Sequence, residues 1–274
     1  MSILLVFVNN LSVRIVIIMN ENRINTLVEN NQGSKALCIE YNNSNNVVIE
    51  FQDEYKARVT TTWKHFIEGK IRNPYYPSVL GVACSGNKYP ITENKHHTKE
   101  YAIWLDMMRR CYSNITKNKN ICYKDVLCCE EWLCFENFYE WLHSQSNFSK
   151  WFIGERWDIE KDIKIKHNKL YSPDTCFLTP HNVNALFLRK EGQRGLYPIG
   201  VRKSSKSNNF EVLCRNNNEC IYLGTYSDPI EGFYVYKRYK ENLIKTIAKN
   251  EFKKGNITKE CYEAMIAYTV EITD

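Results

Sequence analysis

The sequence predicts an α+β protein in three parts. These are a small N-terminal β-barrel, a central α+β domain, and a C-terminal three-stranded antiparallel sheet covered by one helix. Three observations predict it. Short runs with strand character occur toward both ends of the chain, apolar residues recur at helical spacing in the middle, and a strong helix start follows the last strand run. At 274 residues the chain can form two or three small domains and bury a core without metal or disulfide staples. Its 43% hydrophobic and 25% charged residues are those of a globular protein.

Residues 1–30 read as a leader or an upstream extension. The first 19 residues are largely apolar, but Asn9, Asn10 and Arg14 interrupt them. A transmembrane helix needs about 20 unbroken apolar residues, and no small-residue cleavage site follows. Met19, with Asn20-Glu21-Asn22 after it, has the look of a second start. No membrane association is expected.

Residues 31–78 form the small β domain. Ala36-Leu-Cys-Ile-Glu-Tyr41 and Asn46-Val-Val-Ile-Glu-Phe51 are strand runs joined by the turn cluster Asn42-Asn43-Ser44-Asn45. Residues 55–62 read as a third strand and 63–67 as a short helical turn. Three short strands with tight turns predict a barrel or a curled meander.

Residues 79–192 form the central domain. Tyr101, Trp104, Leu105, Met108, Cys111 and Tyr112 place a helix over 100–113. Trp132, Phe135, Phe138 and Trp141 fall three apart and place a second over 130–143, its aromatic stripe assigned to the core. An extended run at 157–163, a turn at His167-Asn168-Lys169, a second extended run from Tyr171 and a closing helix over 180–188 complete it.

Residues 195–274 form the sheet-plus-helix domain, after a linker at 192–195. Strands are expected at 198–203, 210–215 and 220–226, with turns at 204–208 and 216–218. Asp228-Pro229-Ile230-Glu231 supplies an N-cap, a first-turn proline and a capping-box glutamate. The helix puts Phe233, Tyr236, Leu243, Ile244 and Ile247 on one face, which covers one side of the sheet and leaves the other open to a partner.

Charge points to the nature of that partner. The chain carries a net +6, yet residues 189–260 alone hold 15 Lys and Arg against 8 Asp and Glu. Localised positive charge suits a polyanion. On the open face Arg202, Lys203, Arg215 and Tyr222 are the candidate contacts, with Lys206 in the turn reaching phosphate. A sheet can enter the major groove, where arginine pairs bidentately with guanine. Double-stranded DNA is the expected partner. The eleven cysteines include no Cys-x-x-Cys pair, which reads as reduced thiols in a cytosol. Cys122, Cys128, Cys129 and Cys134, near His143, are assigned to packing ahead of zinc.

Two resemblances extend this reading. Gly200-Val201-Arg202, Phe210-Glu-Val212, Arg215, Tyr222-Leu-Gly-Thr-Tyr226, Glu231 and Tyr236 follow the order of the plant ethylene-response-factor (APETALA-type) DNA-binding domain. That family lays its three-stranded sheet in the major groove. The resemblance implies that Arg202 and Arg215 are the DNA-contacting arginines. Phe210 and Tyr222 hold positions where the family usually has tryptophan, and Cys220 one where it often has arginine. Those departures leave the sequence preference unassigned.

The middle of the chain resembles phage HNH-like proteins of the free-standing homing-endonuclease type. The residues that carry this are Trp104, Met107 or Met108, Arg110-Cys-Tyr112, Glu131-Trp132, Phe135, Asn137-Phe138, Trp141, Glu160-Lys-Asp-Ile163 and Tyr171-Ser-Pro-Asp-Thr-Cys176. Glu68-Gly-Lys-Ile-Arg-Asn-Pro74 resembles the small β domain that often precedes them, and residues 236–274 resemble their usual ending. The resemblance implies phosphodiester hydrolysis with a divalent metal (Mg or Mn), in the cytoplasm of an infected host cell. HNH chemistry needs a base to activate water and polar ligands for one cation. Here Glu160-Lys161-Asp162 stands where Asp-His is usual. That makes Lys161, Asp162 and His181 the catalytic candidates, with His167 as a substitute, and Asp162 or Glu160, with Asn182 or Asn184, the metal candidates. Asp174 and Cys176 are assigned to shaping the turn and packing. Three functions remain open: an HNH-type endonuclease, a catalytically inactive DNA-binding regulator derived from one, and a protein that blocks a host defence protein through its N-terminal domain.

Overall fold

The computed structural model describes residues 23–119, 121–154, 156–187, 196–216, 219–272 and 274. The expected leader and the linker at 192–195 therefore lie largely or wholly outside the described residues. The chain divides into two compact units, residues 1–89 and 90–274. Each mixes helix and strand, as an α+β protein should.

The first unit is a meander: β1 (Leu27–Glu29), β2 (Lys35–Asn43), β3 (Asn46–Phe51) and β4 (Arg58–Thr61), antiparallel in that order, then α1 (Trp63–Ile67). Alternation along β2 and β3 turns Ala36, Cys38, Val47, Ile49 and Phe51 to one face. The expected barrel is not formed. β1 and β4 end the strand order as open edges, and at three and four residues they are short. The apolar face is covered instead by α1, whose Phe66 is buried and whose Trp63 packs beside it. A sheet already covered by a helix gains little from curling shut.

The second unit begins with the hairpin β5 (Thr92–Glu93) and β6 (His96–His97). Then come α2 (Lys99–Tyr112), α3 (Asn114–Lys119), β7 (Leu127–Cys128), α4 (Phe135–Ser144) and α5 (Phe148–Ile153). Thr98 caps α2 by accepting the N–H of Tyr101. The second helix starts later than its periodicity predicts. Residues Glu131–Leu133 form a 3-10 turn, and Cys134 takes an extended backbone before α4. The aromatic stripe survives that break: Trp104, Trp132, Phe135 and Phe138 are fully buried. His143 lies between the rings of Tyr139 and Phe148, 3.9 Å from each. Among the described residues no cysteine cluster has the makings of a metal site.

β8 (Trp157–Glu160) and β10 (Phe177–Pro180) pair antiparallel, with Phe177 opposite Glu160 and Thr179 opposite Asp158. The intervening chain holds β9 (Leu170–Tyr171), which pairs in parallel with β7. α6 (His181–Asn184) follows β10 directly.

The last segment forms β11 (Val201–Lys203), β12 (Phe210–Asn216) and β13 (Glu219–Tyr226), then α7 (Pro229–Lys253) and α8 (Lys259–Ala267). The sheet order is β11-β12-β13, all antiparallel, as the alternation predicts. Asp228 caps α7 through the N–H of Ile230 at 3.0 Å.

The central and C-terminal parts are not independent domains, because α7 serves both. Its 25 residues extend about 37 Å at 1.5 Å per residue. Phe233 and Tyr236 in the first half pack on Val201, Val212 and Cys214 of the sheet. Ile244 and Ala248 in the second half share a core with Ile163, Phe177, Val183, Leu186 and Phe187 of the central part, and with Cys261 and Met265 of α8.

Candidate nucleic-acid interface

Strand alternation decides which side chains the open sheet face presents. Val201, Val212 and Cys214 point toward α7 and are buried. The intervening residues point away. Arg202 sits opposite Glu211, which sits opposite Thr225, and Arg215 sits opposite Cys220. Arg202, Arg215, Cys220 and Thr225 are exposed.

Tyr222 reaches the open face through a bulge. The register slips between Val212 and Leu213, so that Val212 faces Gly224 while Leu213 faces Tyr222. The extra residue lets Tyr222, three before Thr225, share its side. Their hydroxyls lie 2.5 Å apart, and Tyr222 is 59% exposed. Gly224 has φ +125, a backbone region that glycine adopts at least cost.

Two expected contacts are placed elsewhere. Lys203 and Phe210 oppose each other in the row ending at Tyr226, and Phe210 and Tyr226 pack with the helix-side cluster. Residues 202 and 203 are neighbours on one strand and cannot share a face. Lys203 lies over the Phe210 ring, 4.6 Å from its centroid, and donates to the carbonyl of Asn208. Lys206 is exposed in the turn, as expected.

The open face is not charged uniformly. Arg202 is held by Glu211 at 2.8–2.9 Å, and Ser204 donates to the same carboxylate at 2.9 Å. The hydrogen bonds from Arg202 and Ser204 hold the Glu211 carboxyl below the usual carboxylate range. Arg215 forms no ion pair among the described residues.

In the central part, β8, β10 and α6 bring together residues that lie 23 apart in sequence. Nδ1 of His181, at the start of α6, lies 2.6 Å from Oδ2 of Asp158 on β8. His181 Nε2 has no hydrogen-bond partner among the described residues. Asp158 lines an open cleft of about 390 Å³, whose wall includes Lys99, Asp106, Arg109, Arg110 and Arg156. Lys99 is committed there to capping α5: it donates to the carbonyls of Trp151, Phe152 and Gly154 at 2.7–3.0 Å. Burial pushes its ammonium below the usual lysine range. Sequence reasoning named His181 but missed Asp158, its partner. Only the strand pairing brings the two together.

The other catalytic and metal candidates do not gather at this point. Lys161 is buried, and its ammonium donates to Asp162 at 2.8 Å and to the carbonyl of Asn168 at 2.6 Å. It clasps the loop rather than facing open space. Glu160 is buried and accepts the N–H of Asp162 at 2.5 Å, and burial, with the Asp162 charge beside it, pushes its carboxyl up to about 8. Asn182 donates to Glu251 at 3.3 Å and accepts the N–H of Val183 at 3.0 Å, while Asn184 is buried. His167 lies in a turn with φ +58, 3.9 Å from Asp274. Asp174 is exposed, and Cys176 is buried with its thiol pushed up to about 12 by burial. Among the described residues no three His, Cys, Asp or Glu side chains approach closely enough to hold a cation. The expected donor set, with Asp162 paired to lysine and both asparagines engaged or buried, does not fit a resident divalent metal.

Among the described residues no helix is long and apolar enough to cross a membrane. Compared with protein-family models, curated proteins and solved structures, the chain finds no match.

Proposed function

We propose that the chain binds double-stranded DNA through the open face of the β11–β13 sheet. One observation carries this reading: Arg202, Arg215 and Tyr222 are exposed together on the side that α7 does not cover. Strands of a sheet with that face free can be laid in a groove of the duplex, as in other β-sheet readers of DNA. The arginines supply paired donors and the tyrosine a hydroxyl on a rigid ring.

The test is fluorescence anisotropy of a labelled duplex titrated with the full chain between about 50 and 200 mM salt, a range over which phosphate contacts lose orders of magnitude in affinity. Affinity should fall linearly with salt on logarithmic axes. Arg215→Ala should cost about 1–3 kcal/mol if it reads a base, and a reduced salt slope would mark it as a phosphate contact instead. Arg215→Ala and Tyr222→Ala chains that both bind like the wild type would remove the sheet face from the interface.

A second reading, phosphodiester hydrolysis, is favoured by the His181–Asp158 hydrogen bond beside the cleft. A carboxylate that orients an imidazole prepares its other nitrogen to take a proton from water. Arg109 and Arg156 are exposed cations on the wall that Asp158 shares. Nicking of supercoiled plasmid at low salt, with magnesium or manganese supplied, tests it.

A further inference from the structure

α7 carries a second surface suited to a polyanion. At about 100° per residue, Phe233, Tyr236, Leu243, Ile244 and Ile247 project to one side of the helix, and these are the residues it packs into the two cores. Arg238, Lys245, Lys249 and Lys253 project to the opposite side, within about 80° of one another. All four are exposed, and none forms an ion pair among the described residues. Among the described residues no carboxylate of α7 is paired with them. Glu231 lies in the first turn, and Glu241, at the stripe's flank, is bound by Lys237 at 3.4 Å and by the N–H of Val270 at 2.9 Å.

The stripe extends about 22 Å from Arg238 to Lys253 at 1.5 Å per residue. A duplex presents one phosphate charge per about 1.7 Å of axis with both strands counted, so that length of duplex carries about a dozen of them. Lipid is a poorer fit. An interfacial helix inserts its apolar face, and that of α7 is already buried in the fold.

α7 lies on the covered side of the β11–β13 sheet, so the stripe and the open sheet face point in opposite directions. We propose that the stripe holds the backbone of a second duplex segment, and that one chain bridges two segments, one on each side. This rests on the sheet-face reading above.

The test uses the full chain loaded on an immobilised duplex, washed, and offered a second, fluorescent duplex. The wild type should capture about one second duplex per loaded chain. The quadruple variant Arg238→Gln, Lys245→Gln, Lys249→Gln, Lys253→Gln keeps good helix formers at exposed positions and should stay folded. It should load within threefold of the wild type and capture less than a tenth of the second duplex. Wild-type chain that captures none overturns the proposal. So does a quadruple variant that captures as much as the wild type, since self-association would then be the bridge. A quadruple variant that fails to load also overturns it, by making the stripe the primary site. Loss of binding to vesicles containing phosphatidylserine, without any effect on duplex capture, would assign the stripe to a membrane surface and equally overturn it. Failure of the sheet-face reading is seen separately, as unchanged loading of an Arg202→Ala, Arg215→Ala chain.

Discussion

Arg202 on β11 and Glu211 on β12 face each other across the sheet, with two guanidinium nitrogens 2.8 and 2.9 Å from one carboxylate oxygen. The pair lies on the face proposed to meet DNA, joining the edge strand β11 to the central strand β12. It orders Arg202, but it also sets a negative charge where phosphates must approach. Arg202 must leave this partner, or share it, to contact a base. Glu211→Gln should therefore tighten binding to any duplex, by about two- to tenfold at low salt, because one like-charge repulsion is removed. The gain should shrink as salt rises. Anisotropy at two salt concentrations checks this, and a loss of affinity would mean that Glu211 positions Arg202 for contact instead of restraining it.

The His181–Asp158 pair makes a separate prediction. If the imidazole is the base, His181→Ala should lower plasmid nicking by about a hundredfold or more, the usual scale of general-base catalysis. Asp158→Asn should lower it as well, since the amide no longer favours the tautomer that leaves Nε2 free to accept a proton. Duplex affinity in both variants should stay within twofold of the wild type, because the sheet face is untouched. Nicking that survives His181→Ala removes this residue from the chemistry. Full activity in Asp158→Asn would make the hydrogen bond purely structural.

Close approach of α7 to the sheet predicts a sharp glycine requirement. Gly200 has φ +79, and a Cβ there would stand 2.1 Å from Cδ2 of the Tyr236 ring. Gly200→Ala should destabilise the second unit by about 1–3 kcal/mol through overpacking, with about 1–2 kcal/mol more for the left-handed backbone. Gly255 is the control: its φ is +70, but a Cβ there would meet only Lys150 Cε, at 4.0 Å. Gly255→Ala should show the backbone cost alone. Urea unfolding of the two variants separates the effects, and equal losses would show that the Tyr236 ring moves aside freely.

Local patterns carried the C-terminal sheet and the start of α7, because alternation and capping act between neighbouring residues. Val212 and Cys214 are buried and Arg215 is exposed, as alternation requires. The same rule places Lys203 with Phe210, away from Arg202, so charge alone was a poor guide to which residues share a face. The bulge that turns Tyr222 outward needs the pairing register, which no single strand specifies. Long-range relationships were not legible. The amphipathic pattern of α7 gives its apolar side but not that this side serves two cores, and a lone Thr258, which caps α8 by accepting the N–H of Cys261, is too common a residue to mark that helix in advance. Asp158 lies inside a strand-like run with nothing local to distinguish it, and only the pairing of β8 with β10 brings it to His181. The barrel expectation failed for a related reason. Three strand runs and a helical turn were visible, but whether the edges meet depends on what covers the apolar face.

Glu160 gives the pH dependence its sign. Its carboxyl is buried, and its pKa is pushed from an ordinary 4.5 to about 8 by burial and by the neighbouring Asp162 charge. In the unfolded chain the group ionises near 4.5; in the folded chain it keeps its proton up to about 8. Between those values the folded state binds more protons than the unfolded state, so stability falls as pH rises through the window. Below it both states are protonated and above it both are ionised, and this group then adds no slope. Within the window the slope contributed is about 1.4 kcal/mol per pH unit at most. Glu160→Gln keeps an Oε1 acceptor for the N–H of Asp162, which the native carboxyl binds at 2.5 Å, and it never ionises. The variant should match the wild type near pH 5 and exceed it near pH 8, where its Tm should be several degrees higher. Thermal unfolding of both chains across the range decides the point. Parallel pH profiles for wild type and variant would mean that Glu160 ionises in the folded state as readily as in the unfolded chain.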